Sequence, residues 1–472
     1  MRRTQSGHAQ LLVASIVVLM FVSISPAQAQ LAPIPLEGSP QFVRQFRGQL
    51  SDLPSQVSDI AVERGVAFVV GDFNSVGQGS TAIPCGGLAR IDLRSLQITH
   101  CAQIGMPRTS QLAYSVAARG GRVYVGGSFN EVRSGKIRST GLHNLAAFSS
   151  ADLSPLAWPA AVGEGVNGGE AKVNDLLVIS GSGAERGSDY VYVTGGFRQV
   201  GYRTPNTRAG SLARFHAANG APMPFPFELS GVRLGDRHGI GLTLEDRDER
   251  FLYVGGEFGT LQRTGDLNPP ERPYAAAIDL RSNLTGGSLT SWWPDPDDMV
   301  QTISVLSLGV GQTSATIGGR FFGLRAGKLG ERYAPLLAST DGTTGDTINW
   351  YPTGALPIYP VNTALTKFEL GRSGFLKAIV RTKSEVVFGG GFSLMRSGSL
   401  VANNLAASSA SSGTPTWMPA INGVVNSAST AKRLSPDGRS VEQLLLVGGN
   451  FSKVDSSNRL IKTPGLAIFK DR

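Results

Sequence analysis

The chain has 472 residues, 60 of them glycine, with 41% hydrophobic and 17% charged residues and a formal net charge of +9. That balance excludes a disordered chain, which is poorer in apolar residues and richer in net charge. Length alone predicts about three domains of about 150 residues, unless one array of repeats spans the chain, because repeat folds lengthen without new domain boundaries.

The chain opens with the pattern of an export signal. Arg2 and Arg3 are followed by an apolar stretch from Leu11 to Ile24, and Ala27-Gln28-Ala29 offers a small-x-small cleavage site before Gln30. The expectation is a signal peptide over residues 1–29, a linker over 30–41 and one repeat domain over 42–472. The stretch is short for a span of about 20 residues, and no later stretch is long and apolar enough to cross a bilayer. The mature chain is therefore expected to be exported without a transmembrane segment, to the periplasm, the medium or the cell surface.

Cys85 and Cys101 are the two cysteines. They flank the strand-like runs Leu88–Leu93 and Gln97–His100, so a hairpin would bring them together. In an oxidising compartment a disulfide is the expected state.

Seven segments share one pattern: an apolar run, two small residues, one variable residue and Phe. They end at Phe73, Phe129, Phe197, Phe258, Phe321, Phe392 and Phe451, at spacings of 56, 68, 61, 63, 71 and 59. The copies include Tyr124-Val-Gly-Gly-Ser-Phe129 and Tyr253-Val-Gly-Gly-Glu-Phe258. Two depart from it, with Asp72 read at the second small position and Thr194 at the first. An alternating run precedes each copy, as in Val57–Val62 and Phe375–Val380, joined by a polar turn such as Arg119-Gly120-Gly121. A loop of 12 to 16 residues follows the Phe. Then comes a strand with Leu-Ala or an equivalent (Leu88-Ala89, Leu145-Ala146, Leu405-Ala406), and a fourth strand ending near Trp or Phe and Pro (Trp158-Pro159, Phe225-Pro226, Trp293-Pro294, Trp417-Met-Pro419).

Four antiparallel strands per repeat predict an all-β fold, a seven-bladed β-propeller of four-stranded blades. The glycines fit close backbone approaches and the Phe fills space between blades. A phosphate-binding loop would need a following helix and usually a Lys; both are absent. The last segment, Gly465–Phe469, is a third strand with no fourth after it, and Phe42–Phe46 is a spare run at the other end. Pairing of Phe42–Phe46 with Leu466–Phe469 is expected to close the fold and remove two sheet edges.

The Gly-Gly-x-Phe strand followed by Leu-Ala and Trp-x-Pro resembles the delta-60 repeat of secreted propeller proteins, over roughly residues 42–472. It is more weakly similar to the repeats of fungal cortical cell-polarity markers. The resemblance implies a propeller and export, with no settled activity and no functional residue to carry over.

The residues suggest little chemistry. His100, His143, His216 and His238 show no metal-ligand spacing, and no nucleophile elbow, zinc-protease helix or phosphate loop is present. Asp295-Pro-Asp297-Asp298 could hold Ca²⁺ or supply a carboxylate pair, but one such run more often forms a solvated turn. No catalytic, cofactor-binding or metal residue is assigned. Charge says more. Cleavage would remove Arg2 and Arg3, taking +9 to +7, and the seven loops after the motif Phe hold 15 Lys or Arg against 5 Asp or Glu. Equivalent loops emerge on one face, so Arg133, Lys136, Arg138, Arg203, Arg208, Arg263, Arg325, Lys328, Arg332, Arg459 and Lys462 are expected to form a basic ring. Such a face would suit an acidic polysaccharide, a lipid headgroup or an acidic protein. Nucleic acid is disfavoured by the export signal and by the lack of interleaved aromatics. The expected protein is a monomeric binding or scaffold propeller. The alternatives are a lyase or dehydrogenase working in a central funnel, or a surface structural protein. A ring of acids or histidines at the channel mouth would favour the enzyme, and a channel lined by small and apolar residues would favour binding.

Overall fold

The structure, a computed structural model, describes residues 35–470 except 47–48, 51–55, 78–81, 106–110, 182–186, 232–238, 267, 283–285, 310–311, 325–331, 349, 351–373, 383, 397–398, 414, 418 and 457–458. The expected signal peptide, Arg325, Lys328 and His238 lie outside the described residues. What is described is all-β, with a single 3-10 turn at Val166–Gly168 as its helical element.

Each motif copy forms the second strand of an antiparallel sheet. Unit 1 pairs Gln56–Glu63, Val66–Asp72, Gly87–Asp92 and Gln97–Ile104 in order. Unit 3 (Lys172–Ser180, Asp189–Gly196, Leu212–His216, Pro222–Met223) and unit 4 (Ile240–Arg247, Phe251–Glu257, Ala275–Asp279, Ser288–Leu289) repeat it. So does unit 6 (Phe375–Arg381, Glu385–Arg396, Ser399–Ser409, Pro415–Trp417). Among the described residues units 2, 5 and 7 have three strands: Leu112–Arg119, Arg122–Ser128 and Leu145–Ser149; Val300–Gly309, Gln312–Gly319 and Leu337–Asp341; Val424–Leu434, Val441–Asn450 and Leu466–Lys470. In these three a single bridge stands in the fourth place, Phe148 to Pro155, Thr340 to Thr347 and Phe469 to Pro35.

That last bridge corrects the expected terminal pairing. The residues beside Leu466–Lys470 are Pro35 and Leu36, whose N–H donates to Ile468 O at 2.7 Å. Phe42–Val43 pairs instead with Ser75–Val76, and the Phe42 ring packs on Phe73 at 4.6 Å. A two-residue contact beginning at Pro has no strand pattern to reveal it, whereas Phe42–Phe46 begins Phe-Val and ends in Phe and looks like a strand.

The repeat has one steric cause. In every unit the first strand carries a β-bulge at the same place, between Val57 and Asp59, Ala113 and Ser115, Val173 and Asp175, Gly241 and Thr243, Val300 and Thr302, Leu376 and Ala378, and Val425 and Ser427. The bulge pushes the preceding carbonyl toward the second strand. Opposite it stand Gly71, Gly127, Gly195, Gly256, Gly319, Gly390 and Gly449, where a Cβ would overlap that carbonyl oxygen. The register thus realigns unit 1: Gly71 holds the second small position, Val70 the first, and Asp72 is the variable residue.

The first small position faces the next unit. A Cβ on Gly126 would meet Val173, one on Gly255 Val300, one on Gly389 Val425, and one on Gly448 Val57 and Ile60 of unit 1. Where the position holds a larger residue, its opposite shrinks. Val70 shares its core with Ala113, and Thr194 stands against Gly241. The constant quantity is the volume at the joint, as close packing requires.

Each first strand packs against the first strands of the units before and after it, and that of unit 7 packs against that of unit 1. Unit 7 also bonds to unit 1 directly. Asn426 Nδ2 donates to Val57 O at 3.0 Å, Ser427 Oγ to Asp59 Oδ1 at 2.9 Å, and Arg433 Nη1 to Leu93 O at 3.1 Å.

The tryptophans sew neighbours together. Trp158 stacks edge-on against Tyr124 at 5.2 Å and donates to His216 O of unit 3, and Trp350 donates to Ser409 O of unit 6. In unit 4 the buried ring is Trp292, against Tyr253 at 4.9 Å, while Trp293 lies under Arg272.

Candidate functional site

Among the described residues, the connections after the motif Phe in units 1, 2, 3, 5, 6 and 7 are β-hairpins rather than loops. Those described in full pattern are Glu131–Ser134 with Ile137–Thr140, Gln199–Tyr202 with Thr207–Arg208, and Lys453–Ser456 with Arg459–Lys462. Each pairs with the segment that leads into its unit: Val132 with Ile104, Ala160–Gly163 with Gln199–Tyr202, and Ala420–Ile421 with Asp455 and Val454. Thr260–Arg263 likewise pairs with Phe227–Ser230, and Leu324 bridges to Pro296. Backbone donors that a loop would leave to water are bonded here, so these hairpins are built extensions of the sheets.

The expected basic residues divide into two kinds. Arg133 and Arg138 both reach Glu131, at 3.4 and 2.6 Å, and Arg138 holds that carboxyl below its ordinary range. Arg459 pairs with Glu37 at 3.0 Å, and Arg263 Nη1 donates to Gly287 O. Lys136, Arg203, Arg208 and Lys462 are exposed and in no ion pair among the described residues, Arg203 lying over the Tyr202 ring at 5.7 Å. Arg332 falls in the short strand Arg332–Tyr333, which pairs with Gly323–Leu324. Glu131, one of the five acids counted in these connections, and Glu37, from outside them, thin the ring.

A second candidate was missed from the residues alone. A cavity of about 510 Å³ is lined by first-strand residues from all seven units. Asp59, Asp175 and Glu245 are half-buried in its wall. Asp59 accepts from Val116 N at 2.9 Å and Asp175 from Leu244 N at 2.7 Å, each bonding the next unit's strand. Burial pushes the Asp175 carboxyl up to about 8, helped by the Asp59 charge, and burial pushes Glu245 up to about 8. Burial also raises Asp59, against three hydrogen bonds that lower it. Lys377 stands open to the lumen over the Phe375 ring, and desolvation by the surrounding walls lowers its pKa. Ser115 Oγ in the same wall is buried without a hydrogen-bond partner. The signal was present: a carboxylate inside an alternating apolar run, as at Asp59 in Val57–Val62, requires a reason.

The remaining candidates are accounted for locally. The Sγ atoms of Cys85 and Cys101 lie 2.10 Å apart, at disulfide distance. Asp297 Oδ1 accepts from Phe322 N at 2.8 Å, 25 residues on, and Asp298 Oδ1 from Met299 N at 2.7 Å, so both carboxylates are engaged by backbone N–H groups. No group of three or more His, Cys, Asp or Glu among the described residues could hold a metal ion. No helix among them is long and apolar enough to cross a membrane.

No family model matches the chain, and no curated protein matches it. Among solved structures, it is similar to a chain of a mitotic checkpoint complex at 13% identity and TM-score 0.45, covering 100% of this chain and 99% of that one. It is similar to the computationally designed Ika8 protein at 9% and 0.39, covering 91% and 100%. The WD40 β-propeller domain of Doa1 matches at 10% and 0.35, covering 92% and 97%.

Proposed function

We propose that the protein is an exported, non-enzymatic binding propeller of seven blades that engages an anionic partner through its hairpin face. The blade count rests on the seven bulged sheets and on the bonds from Asn426, Ser427 and Arg433 back to unit 1. Binding rests on one observation: Lys136, Arg203, Arg208 and Lys462 project from hairpins held by their own backbone pairing, without carboxylate partners among the described residues. Charges fixed on rigid supports lose little entropy on binding and steer an anion toward the face.

Retention on immobilised heparin and polygalacturonate, measured at about 50 and 150 mM NaCl, tests this. Exposed charges are screened within about 8 Å at the higher salt, so retention should weaken sharply. The combined variant Lys136→Gln, Arg203→Gln, Arg208→Gln and Lys462→Gln should elute early at both, with an unchanged melting temperature. Wild-type and variant protein eluting together would end the proposal.

The cavity supports a second reading, a lyase or dehydrogenase acting in the lumen. A carboxyl held near pH 8 is protonated at pH 7 and could serve as a general acid. Under this reading Asp175→Asn or Glu245→Gln abolishes any turnover found in a substrate screen without changing retention on polyanions.

A further inference from the structure

The exposed large apolar side chains are not spread evenly. Among the described residues they are Ile83, Ile137, Tyr202 and Leu460, at 48, 53, 49 and 61% exposure, with Leu434 and Val441. Leu434 and Val441 flank the turn between the first two strands of unit 7. The other four all lie on connections between second and third strands, in units 1, 2, 3 and 7. These four units are consecutive once unit 7 is followed by unit 1, as the bonds of Asn426 and Arg433 to unit 1 require. Equivalent connections share one face of such an array, so the four side chains mark one arc of it.

Three of them are neighbours of basic residues in sequence. Ile137 stands between Lys136 and Arg138, Tyr202 precedes Arg203, and Leu460 follows Arg459 with Lys462 two residues on. Ile137 closes its hairpin tip, paired with Ser134 across Gly135 and Lys136. A soluble polyanion would need the charges but would gain nothing from exposed Ile, Tyr and Leu. A protein interface is depleted of Lys at its centre. A bilayer surface fits both features: apolar tips enter the boundary between headgroups and acyl chains, and Lys136, Arg203 and Lys462 beside them, which are in no ion pair among the described residues, face anionic headgroups. Tyr is at home at that depth.

We infer that the arc formed by Ile83, Ile137, Tyr202 and Leu460 docks the protein onto a membrane surface containing anionic lipid. The inference rests on the anion-binding reading above and names the partner for that same face. The built hairpins hold the tips at fixed height, so several side chains enter the interface together, and the loss of one weakens all.

The experiment is sedimentation of exported protein, its N-terminus verified by mass spectrometry, with large vesicles of phosphatidylcholine alone or with 30% phosphatidylglycerol. Any residual N-terminal stretch would be common to every protein compared. Wild type should sediment with the mixed vesicles and stay in solution with phosphatidylcholine alone. The triple variant Ile137→Ser, Tyr202→Ser and Leu460→Ser should lose at least tenfold in apparent vesicle affinity while keeping its retention on heparin. In a Tyr202→Trp variant the added tryptophan emission, taken as the difference from wild type, should be quenched by lipid-borne quencher only in the mixed vesicles, a readout that stands even if the triple variant folds poorly. Equal vesicle binding by wild type and the triple variant overturns insertion. Heparin retention without vesicle binding overturns the membrane and leaves the anion reading standing. Loss of both to wild-type protein overturns the two together.

Discussion

Thr194 occupies the space that a side chain on Gly241 would need. Its Oγ1 donates to Ser211 O within its own sheet at 2.9 Å, which fixes the rotamer against the neighbouring strand. Elsewhere the larger partner sits on the next unit's first strand instead, as with Gly126 and Val173. The joint therefore admits one bulky residue, on either side. Gly241→Val should destabilise by about 2–3 kcal/mol through overpacking. Thr194→Gly alone should cost about 1–2 kcal/mol for the void and the lost bond. The double variant restores the arrangement of units 2 and 3 and should cost less than the sum of the two single variants, with coupling of at least about 1 kcal/mol. Urea unfolding of the four proteins decides; additive losses would refute the shared-volume account.

The pH dependence of stability follows from the lumen carboxyls. Asp175 ionises near 3.8 in an unfolded chain and at about 8 when folded. Between those values the folded protein holds a proton that the unfolded chain has released. Stability from this group is therefore full at low pH and declines as pH rises toward about 8. Glu245 acts in the same direction. Asp175→Asn removes one contributor, so its urea midpoint should fall less than that of wild type between pH 5 and 8.5, by the equivalent of about 4 kcal/mol. Parallel pH profiles would mean that Asp175 is ionised in the folded protein.

The two cysteines close a loop with a sequence separation of 16. A loop of that size restricts the unfolded chain by about 3 kcal/mol. Cys85→Ala with Cys101→Ser should lower stability by roughly that amount, and reductant should affect wild type only. Peptide mapping without reduction gives the direct answer; two free thiols in exported protein would reject the bond.

Arg433 tests the join between the last unit and the first. It is 8% exposed, bonds Glu442 at 2.8 Å and donates to Leu93 O of unit 1. Arg433→Ala removes both contacts and should cost about 3 kcal/mol, at the low end for a broken buried pair because Lys470 still holds Glu442. Hydrogen exchange should rise in Gln97–Ile104 and Val441–Asn450 together. A rise confined to unit 7 would separate the two ends of the chain.

Local chemistry was enough to reveal the repeat, its strand order and the cysteine pairing, because each depends on contacts within one unit. A bulge that pushes a carbonyl into the facing strand demands Gly at one position seven times, and that demand is visible as a motif. The same logic located the equivalent connections and their excess of Lys and Arg. Contacts between units left no such trace. The copies read as irregular at Asp72 and Thr194 fell into place only when the register put Val70 in one core with Ala113 and Thr194 against Gly241, some 45 residues on. Pro35 reached Phe469 and Leu36 reached Ile468 across the chain, and Glu37 and Glu131 took up arginines expected in the basic ring. Asp59, Asp175 and Glu245 are ordinary acids in their own strands. Only the meeting of seven first strands made them neighbours in one poorly solvated wall, where distance through space rather than along the chain sets their charge.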